Sequence, residues 1–334
     1  MRKGTMIKKI LLSVLGVLVV LLLGGFAYIE TTYKKDFSKE PFPKIQASQD
    51  PQVIAQGEYV ANALAHCSAC HGPDEFVSQR KLGPKHDLRG GYALKAGPFG
   101  TFRPANITPD PDTGVGKVTD GQLARSIRHG VDRDGRLAAF MALAVGNMSD
   151  EDLTAVVSYL RSVPAVKNPV GPSEWGIIAK AMSGVFLPRH DPPIQHVASG
   201  TISVARGEYI ANGPGFCVGC HTPMDMMTMK PAGAKFSGEG MAEPDPSDDS
   251  AELIVPNLTP DPETGVIAGW TEDRFVDRLR KQGRVHKGSK MPWENFAQMT
   301  EEDVRSVYRY LVTLSPAKHV TGPSWRKKGW KPAS

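Results

Sequence analysis

Two short motifs carry the chemistry of this chain. Cys67, Cys70 and His71 form one Cys-x-x-Cys-His unit, and Cys217, Cys220 and His221 form a second. In each, two thiols three positions apart can reach the two vinyl groups on one edge of a porphyrin through thioether bonds. The adjacent imidazole can then meet the iron from one face. This is the spacing of covalent c-type haem attachment. Covalent linkage holds a haem without a large enclosing pocket, so a small domain suffices. Two Cys-x-x-Cys pairs could instead supply four thiolates to zinc, but each pair here has its own His and its own copy of the surrounding sequence. A thioredoxin-type redox pair lacks its βαβ setting. These are the only four cysteines, so no thiol remains for a disulfide framework, a catalytic nucleophile or a thiolate axial ligand.

Iron held from one side needs a sixth ligand or an open position. Met141 and Met291 lie well after the two histidines and before the last helix of each copy. Met291 stands in Lys290-Met291-Pro292-Trp293, where proline fixes the backbone and removes a donor. Met141 is followed by Ala142 and lacks that rigidity. Met148 and Met299 also repeat, but each abuts a helix cap, where an apolar side chain staples the turn. The predicted axial pairs are His71 with Met141 and His221 with Met291. A thioether favours ferrous iron and raises the potential relative to two imidazoles. His86, His129 and His286 have no counterpart in the other copy and are expected at the surface.

Other residues surround these. Asn106 and Asn257 open duplicated Asn-x-Thr-Pro-Asp-Pro loops. Their amides could donate to haem propionates, or the loops could be turns held by Asp and Pro. Arg128 and Arg280 end the middle helices and could pair with propionates or lie solvated. Met224, Met226, Met227 and Met229 suggest a loop over a haem edge or a partner-docking surface, with thioether copper binding as the alternative.

The elements that must position these residues are duplicated. Residues 56–62 (QGEYVAN) return at 206–212 (RGEYIAN), residues 106–114 (NITPDPDTG) return at 257–265 (NLTPDPETG), and Tyr159-Leu160 returns as Tyr310-Leu311. Two copies of one domain follow. Each reads as helical: a first helix from near Gln56 into Cys67 and from Ala205 to Asn212, and a middle helix at Thr119–His129 and Thr271–Lys281. The last helix is capped by Ser149 or Thr300, with acids in its first turn. No run of alternating strands stands out. The expectation is an all-α chain with domains at 52–164 and 204–316. A linker fills 165–203, within which Trp175 to Leu187 predicts a helix packed between the domains. Glu243 to Glu252 reads as an acidic loop, and 317–334 as a basic tail whose Trp325 to Lys331 could lie on a partner or the membrane surface.

Ile10 to Ile29 is an uncharged apolar run of 20 residues. At ~1.5 Å per residue it matches a ~30 Å hydrocarbon core. Arg2, Lys3, Lys8 and Lys9 before it should stay cytoplasmic and send the rest across. The expectation is a retained anchor at 1–35 with a polar tether at 36–51; a cleaved signal peptide with Gly25-Phe26-Ala27 as its site is the alternative. Residues 1–35 also account for the whole formal net charge of +5. The remainder is neutral, which excludes a basic body for nucleic acid. With 334 residues, 40% hydrophobic and 22% charged, the chain is long enough for two globular domains.

The two Cys-x-x-Cys-His domains, with Asn-Ile-Thr-Pro-Asp-Pro-Asp-Thr-Gly and Met-Ser-Asp-Glu-Asp-Leu before a Tyr-Leu helix, resemble the class I cytochrome c fold. More narrowly, residues 52–316 resemble the membrane-bound multihaem cytochrome c subunits of bacterial periplasmic alcohol, gluconate and aldehyde dehydrogenases. Those subunits commonly carry three haems, and this chain has two motifs. The resemblance implies two covalently bound haems c, with His71 and His221 as proximal and Met141 and Met291 as distal ligands. It further implies an electron carrier on the periplasmic face of the bacterial inner membrane. The donor would be a dehydrogenase, and the acceptor a quinone, a cytochrome or a terminal oxidase. Two alternatives stand beside it: a dihaem cytochrome c peroxidase, against which both copies keep a Met, and a dihaem subunit of a terminal oxidase.

Overall fold

The computed structural model describes residues 2–79, 81, 87–183, 187–188, 192–225, 230–239 and 242–331. Helix α1 (Arg2–Thr32) carries an apolar stretch, Met6–Thr32, of mean hydropathy 2.8, long and apolar enough to cross a membrane. After it come two helical halves of the same plan.

In the first half α2 (Pro51–Tyr59) runs into a π-helical turn, Val60–Leu64, and packs across α5 (Asp150–Ser162). Helices α3 (Asp120–Arg128) and α4 (Ala139–Val145) lie between them in sequence. In the second half α7 (Val204–Asn212) packs across α10 (Glu301–Leu311), with α8 (Glu272–Arg280) and α9 (Trp293–Phe296) between. The crossing is close because one residue in each first helix is glycine. A Cβ on Gly57 would lie 1.9 Å from the Ala155 carbonyl oxygen, and one on Gly207 would lie 1.9 Å from that of Ser306. Side-chain hydroxyls of Thr119, Ser149, Thr271 and Thr300 accept N–H bonds from the first turns of α3, α5, α8 and α10, as capping residues do.

The two halves share one continuous apolar core, joined by a reciprocal contact. The Tyr59 hydroxyl donates to Asp303 (2.7 Å) and accepts the Thr300 N–H (3.1 Å). The Tyr209 hydroxyl donates to Asp152 (2.5 Å) and accepts the Ser149 N–H (3.2 Å). Each half thus completes the N-terminus of the other's last helix. Burial, reinforced by the facing carboxylate, pushes both phenols well above their usual range.

Several expectations change. The fold is helix-rich as expected, with three small antiparallel sheets among the described residues that the sequence did not suggest. Strands β1 (Leu94–Lys95), β2 (Gly100–Phe102) and β3 (Glu174–Trp175) form one; β4 (Met224–Asp225) and β5 (Lys230–Pro231) form another. Strands β6 (Glu243–Asp245), β7 (Asp248–Leu253) and β8 (Trp325–Lys327) form the third. The acidic segment is therefore strand, and the basic tail folds back onto it rather than standing free. Glu252 pairs with Arg326 in register, and their side chains meet at 2.6 Å.

Residues 36–51 are no loose tether. The Arg125 guanidinium donates to the carbonyls of Ser38 and Glu40 and stacks over Phe42, while the Ala47 and Ser48 N–H groups bond Asp120 and Ser158. The stretches expected as linker and tail also begin by folding onto the half they follow. The Asn168 N–H bonds Thr113 (2.9 Å), and the His319 N–H bonds Thr264 (3.1 Å). Finally, the linker helix α6 (Ile177–Ser183) does not pack between the halves. It lies against the C-terminal end of α1 and the Gly97–Phe99 turn.

Candidate functional site

Each Cys-x-x-Cys-His unit is a short helical turn, Ser68–His71 or Cys217–His221, reached through a residue of positive φ (His66, 40°; Phe216, 50°). That tight entry lets the helix before the motif reverse into it. All four thiols are free. Burial pushes Cys67 and Cys217 up to about 12 and raises Cys70 and Cys220 too, so at neutral pH these are thiols rather than thiolates. No three His, Cys, Asp or Glu side chains converge in a way that could hold a metal ion among the described residues.

Both histidines are oriented alike. His71 Nδ1 lies 2.8 Å from the Ala105 carbonyl oxygen, and His221 Nδ1 lies 3.0 Å from that of Pro256. A carbonyl only accepts, so Nδ1 carries the proton and Nε2 keeps its lone pair. Burial drives the imidazole of His71 down and that of His221 to about 4, against the opposing pull of the carbonyl bond. Both rings are thus neutral at physiological pH, the form that ligates a metal.

The accepting carbonyls belong to the residues immediately before Asn106 and Asn257. This assigns the duplicated loops a role that the asparagine amides do not have. The Asn106 amide donates to Thr113 Oγ1 (3.1 Å) and the Val166 carbonyl (2.8 Å), while its oxygen accepts from the N–H and hydroxyl of Thr108. Asn257 repeats this with Thr264, Ala317 and Thr259. Both amide protons are spent, so neither asparagine has a donor left for a propionate. Each locks its loop, and the loop's backbone aims the histidine.

Met141 and Met291 are half-buried and packed against the core, whereas Met148 and Met299 are 1% and 3% exposed and lie inside it. Met141 sits within α4. Met291 stands before α9 in a loop clamped by Arg284, which donates to the carbonyls of Met291 (3.1 Å) and Ser289 and grips Glu294 with two nitrogens (3.0 and 2.6 Å). Arg278 stacks 3.7 Å over the Trp293 ring. Neither arginine stood out in the sequence, because their partners lie across an irregular turn rather than at helical spacing.

Arg128 is neither solvated nor free: it is buried and bonded to the Met148 carbonyl (2.8 Å) and Asp150 (2.6 Å). Arg280 pairs with Glu301 at 3.4 Å. His286 is half-buried and stacked on Trp325, and His129 is half-buried at the end of α3. His86 and Met226, Met227 and Met229 lie outside the described residues; Met224 lies in β4.

The attachment turns face the opposite halves. Asn295 of α9 donates to the Asn62 carbonyl (2.8 Å) and to Ser68 (3.1 Å), inside the first motif. Phe140, beside Met141, meets Phe216, beside Cys217, edge-to-face at 6.5 Å. The two sites are therefore neighbours across the shared core.

No protein-family model matches the chain. It is 30% identical over 79% of its length to the cytochrome c subunit of a quinone alcohol dehydrogenase from Gluconobacter oxydans. It is 28% identical over 78% to the cytochrome c subunit of gluconate 2-dehydrogenase from Pantoea cypripedii. These matches span 55% and 59% of those subunits, so the chain corresponds to little more than half of each. A dihaem c-type cytochrome from Cereibacter sphaeroides is 25% identical over 73% of the chain and is itself covered to 80%. The duplicated motifs and these matches agree: the chain is related to the cytochrome c subunits of quinone-linked alcohol and gluconate dehydrogenases and to a dihaem cytochrome c.

Proposed function

We propose that this chain is a dihaem c-type cytochrome of the bacterial inner membrane, built as two tandem class I units after an N-terminal anchor, with both units in the periplasm. It passes electrons from a dehydrogenase towards a quinone, a cytochrome or a terminal oxidase. A bound haem c supplies a one-electron ferric/ferrous couple. Cys67 and Cys70, and Cys217 and Cys220, would hold the two porphyrins; His71 and His221 would ligate the irons through Nε2, and Met141 and Met291 from the other side. The observation that carries this reading is the twice-repeated, carbonyl-oriented, neutral histidine beside paired free thiols. With the haems so held, the chain's own residues would orient the histidine and methionine side chains, exclude water and set the potential.

The test is a redox titration of the purified holoprotein with Met291→His. Two covalent haems per chain are expected, with one potential lowered on the order of 0.1–0.3 V, a fraction of the ~0.8 V that axial ligation spans, and the other unmoved. Unchanged potentials at both haems, or zinc in place of iron on metal analysis, would overturn the assignment.

A further inference from the structure

The structure gives α6 an unexpected place. Lys180 bridges to Glu30 at 2.5 Å and lies 4.7 Å over the Tyr33 ring, so α6 is fastened to the residues that end α1. At ~1.5 Å per residue the apolar run from Ile10 to Ile29 spans about 30 Å, one hydrocarbon core. Glu30 and Tyr33 then fall at headgroup depth, and α6 with them. On this short helix Ala179 faces inward and is buried, while Ile177 and Ile178 are 49% and 39% exposed. With exposed Ala181 they share one side at positions i, i+1 and i+4, and that side bears no charge. Lys34, Lys35 and Lys95 are exposed nearby in chain or sheet, and Tyr28, Tyr33 and Trp175 supply the aromatic residues favoured at a membrane surface. An apolar face backed by lysines at this depth has the composition of an interfacial helix.

We propose that α6 is a second membrane contact: its Ile177–Ile178 face rests in the headgroup boundary of the outer leaflet of the inner membrane, and the first half is thereby held at a fixed orientation on the bilayer. The occupant is phospholipid, since the face continues the surface of α1. The proposal rests on the anchor reading above. The first half is fixed to α1 twice, through α6 and through the pinned residues 36–51, so the bilayer would meet one defined side of it.

The test uses the full-length holoprotein in phospholipid nanodiscs, carrying p-benzoylphenylalanine at one site. Three variants are compared after irradiation by mass spectrometry: Ile178→p-benzoylphenylalanine, Leu21→p-benzoylphenylalanine and Val285→p-benzoylphenylalanine. Leu21 lies in the anchor, and Val285 is an exposed residue of the second half. Lipid adducts at 178 and 21, with at least tenfold less at 285, are expected. An adduct at 21 without one at 178, or equal labelling at 285 and 178, overturns the α6 contact and leaves the anchor standing. No adduct at 21, with a mature N-terminus beyond residue 27, overturns the anchor reading and the contact together.

Discussion

The two halves share a frame and differ in how rigidly each holds its charges. In the second half the buried Asp303 is gripped by Arg206 through Nε (2.9 Å) and Nη2 (2.8 Å), both side chains being essentially inaccessible. In the first half the equivalent Asp152 meets Gln56 (3.1 Å), with His196 4.0 Å away and Tyr209 across the interface. The same division holds at the methionines. Met291 is fixed by proline and clamped by Arg284, while Met141 relies on the helix that contains it. The two halves agree in what orients the histidines and differ in ion pairing. If the chain carries electrons as proposed, centres with such unlike surroundings would have a preferred order of reduction.

Three measurements would break or sharpen the comparison. The largest effect is expected at the buried ion pair. Arg206→Gln leaves a buried carboxylate short of its counter-charge and should cost about 3–5 kcal/mol, whereas Gln56→Ala should cost about 1 kcal/mol. Denaturant unfolding of both variants compares them, and equal losses would erase the asymmetry. Next, Arg284→Gln should release the Met291 loop. Loss of thioether ligation, followed in the absorption spectrum, should then come at lower denaturant for one haem only; loss at both would show that the loops are coupled. The smallest effect separates symmetric from asymmetric terms. Tyr59→Phe and Tyr209→Phe should each cost about 1–2 kcal/mol, with values similar to each other because the two phenols do the same work.

Much of the helical frame is legible in the sequence because it is written locally. Ser149 and Thr300 cap helices whose first turns are acidic, and Leu153, Val156, Val157 and Leu160 in one and Val304, Val307 and Leu311 in the other mark the inner face. The Cys and His positions are legible for the same reason. The strands are not, because each has two to six residues, too few for alternation, and β7 finds β8 more than seventy residues later. The segment at 36–51 reads as a tether because polar residues and prolines outnumber its few scattered apolar ones, of which Ile45 is nonetheless buried in the core. What pins it is the Arg125 guanidinium reaching its backbone carbonyls, and backbone acceptors leave no trace in composition. The asparagine loops show the same limit. Their repetition marks them as important, but Asn106 spends one donor on Val166, sixty residues away, and only that distant partner reveals that the neighbouring carbonyl, not the amide, serves the histidine.

The exchanged tyrosines have a consequence for assembly. An arm given and an arm received, at matching positions on both sides, is the arrangement of a twofold homodimer, in which one patch answers itself. Here both partners lie on one peptide, so the embrace forms at fixed one-to-one stoichiometry and does not weaken on dilution.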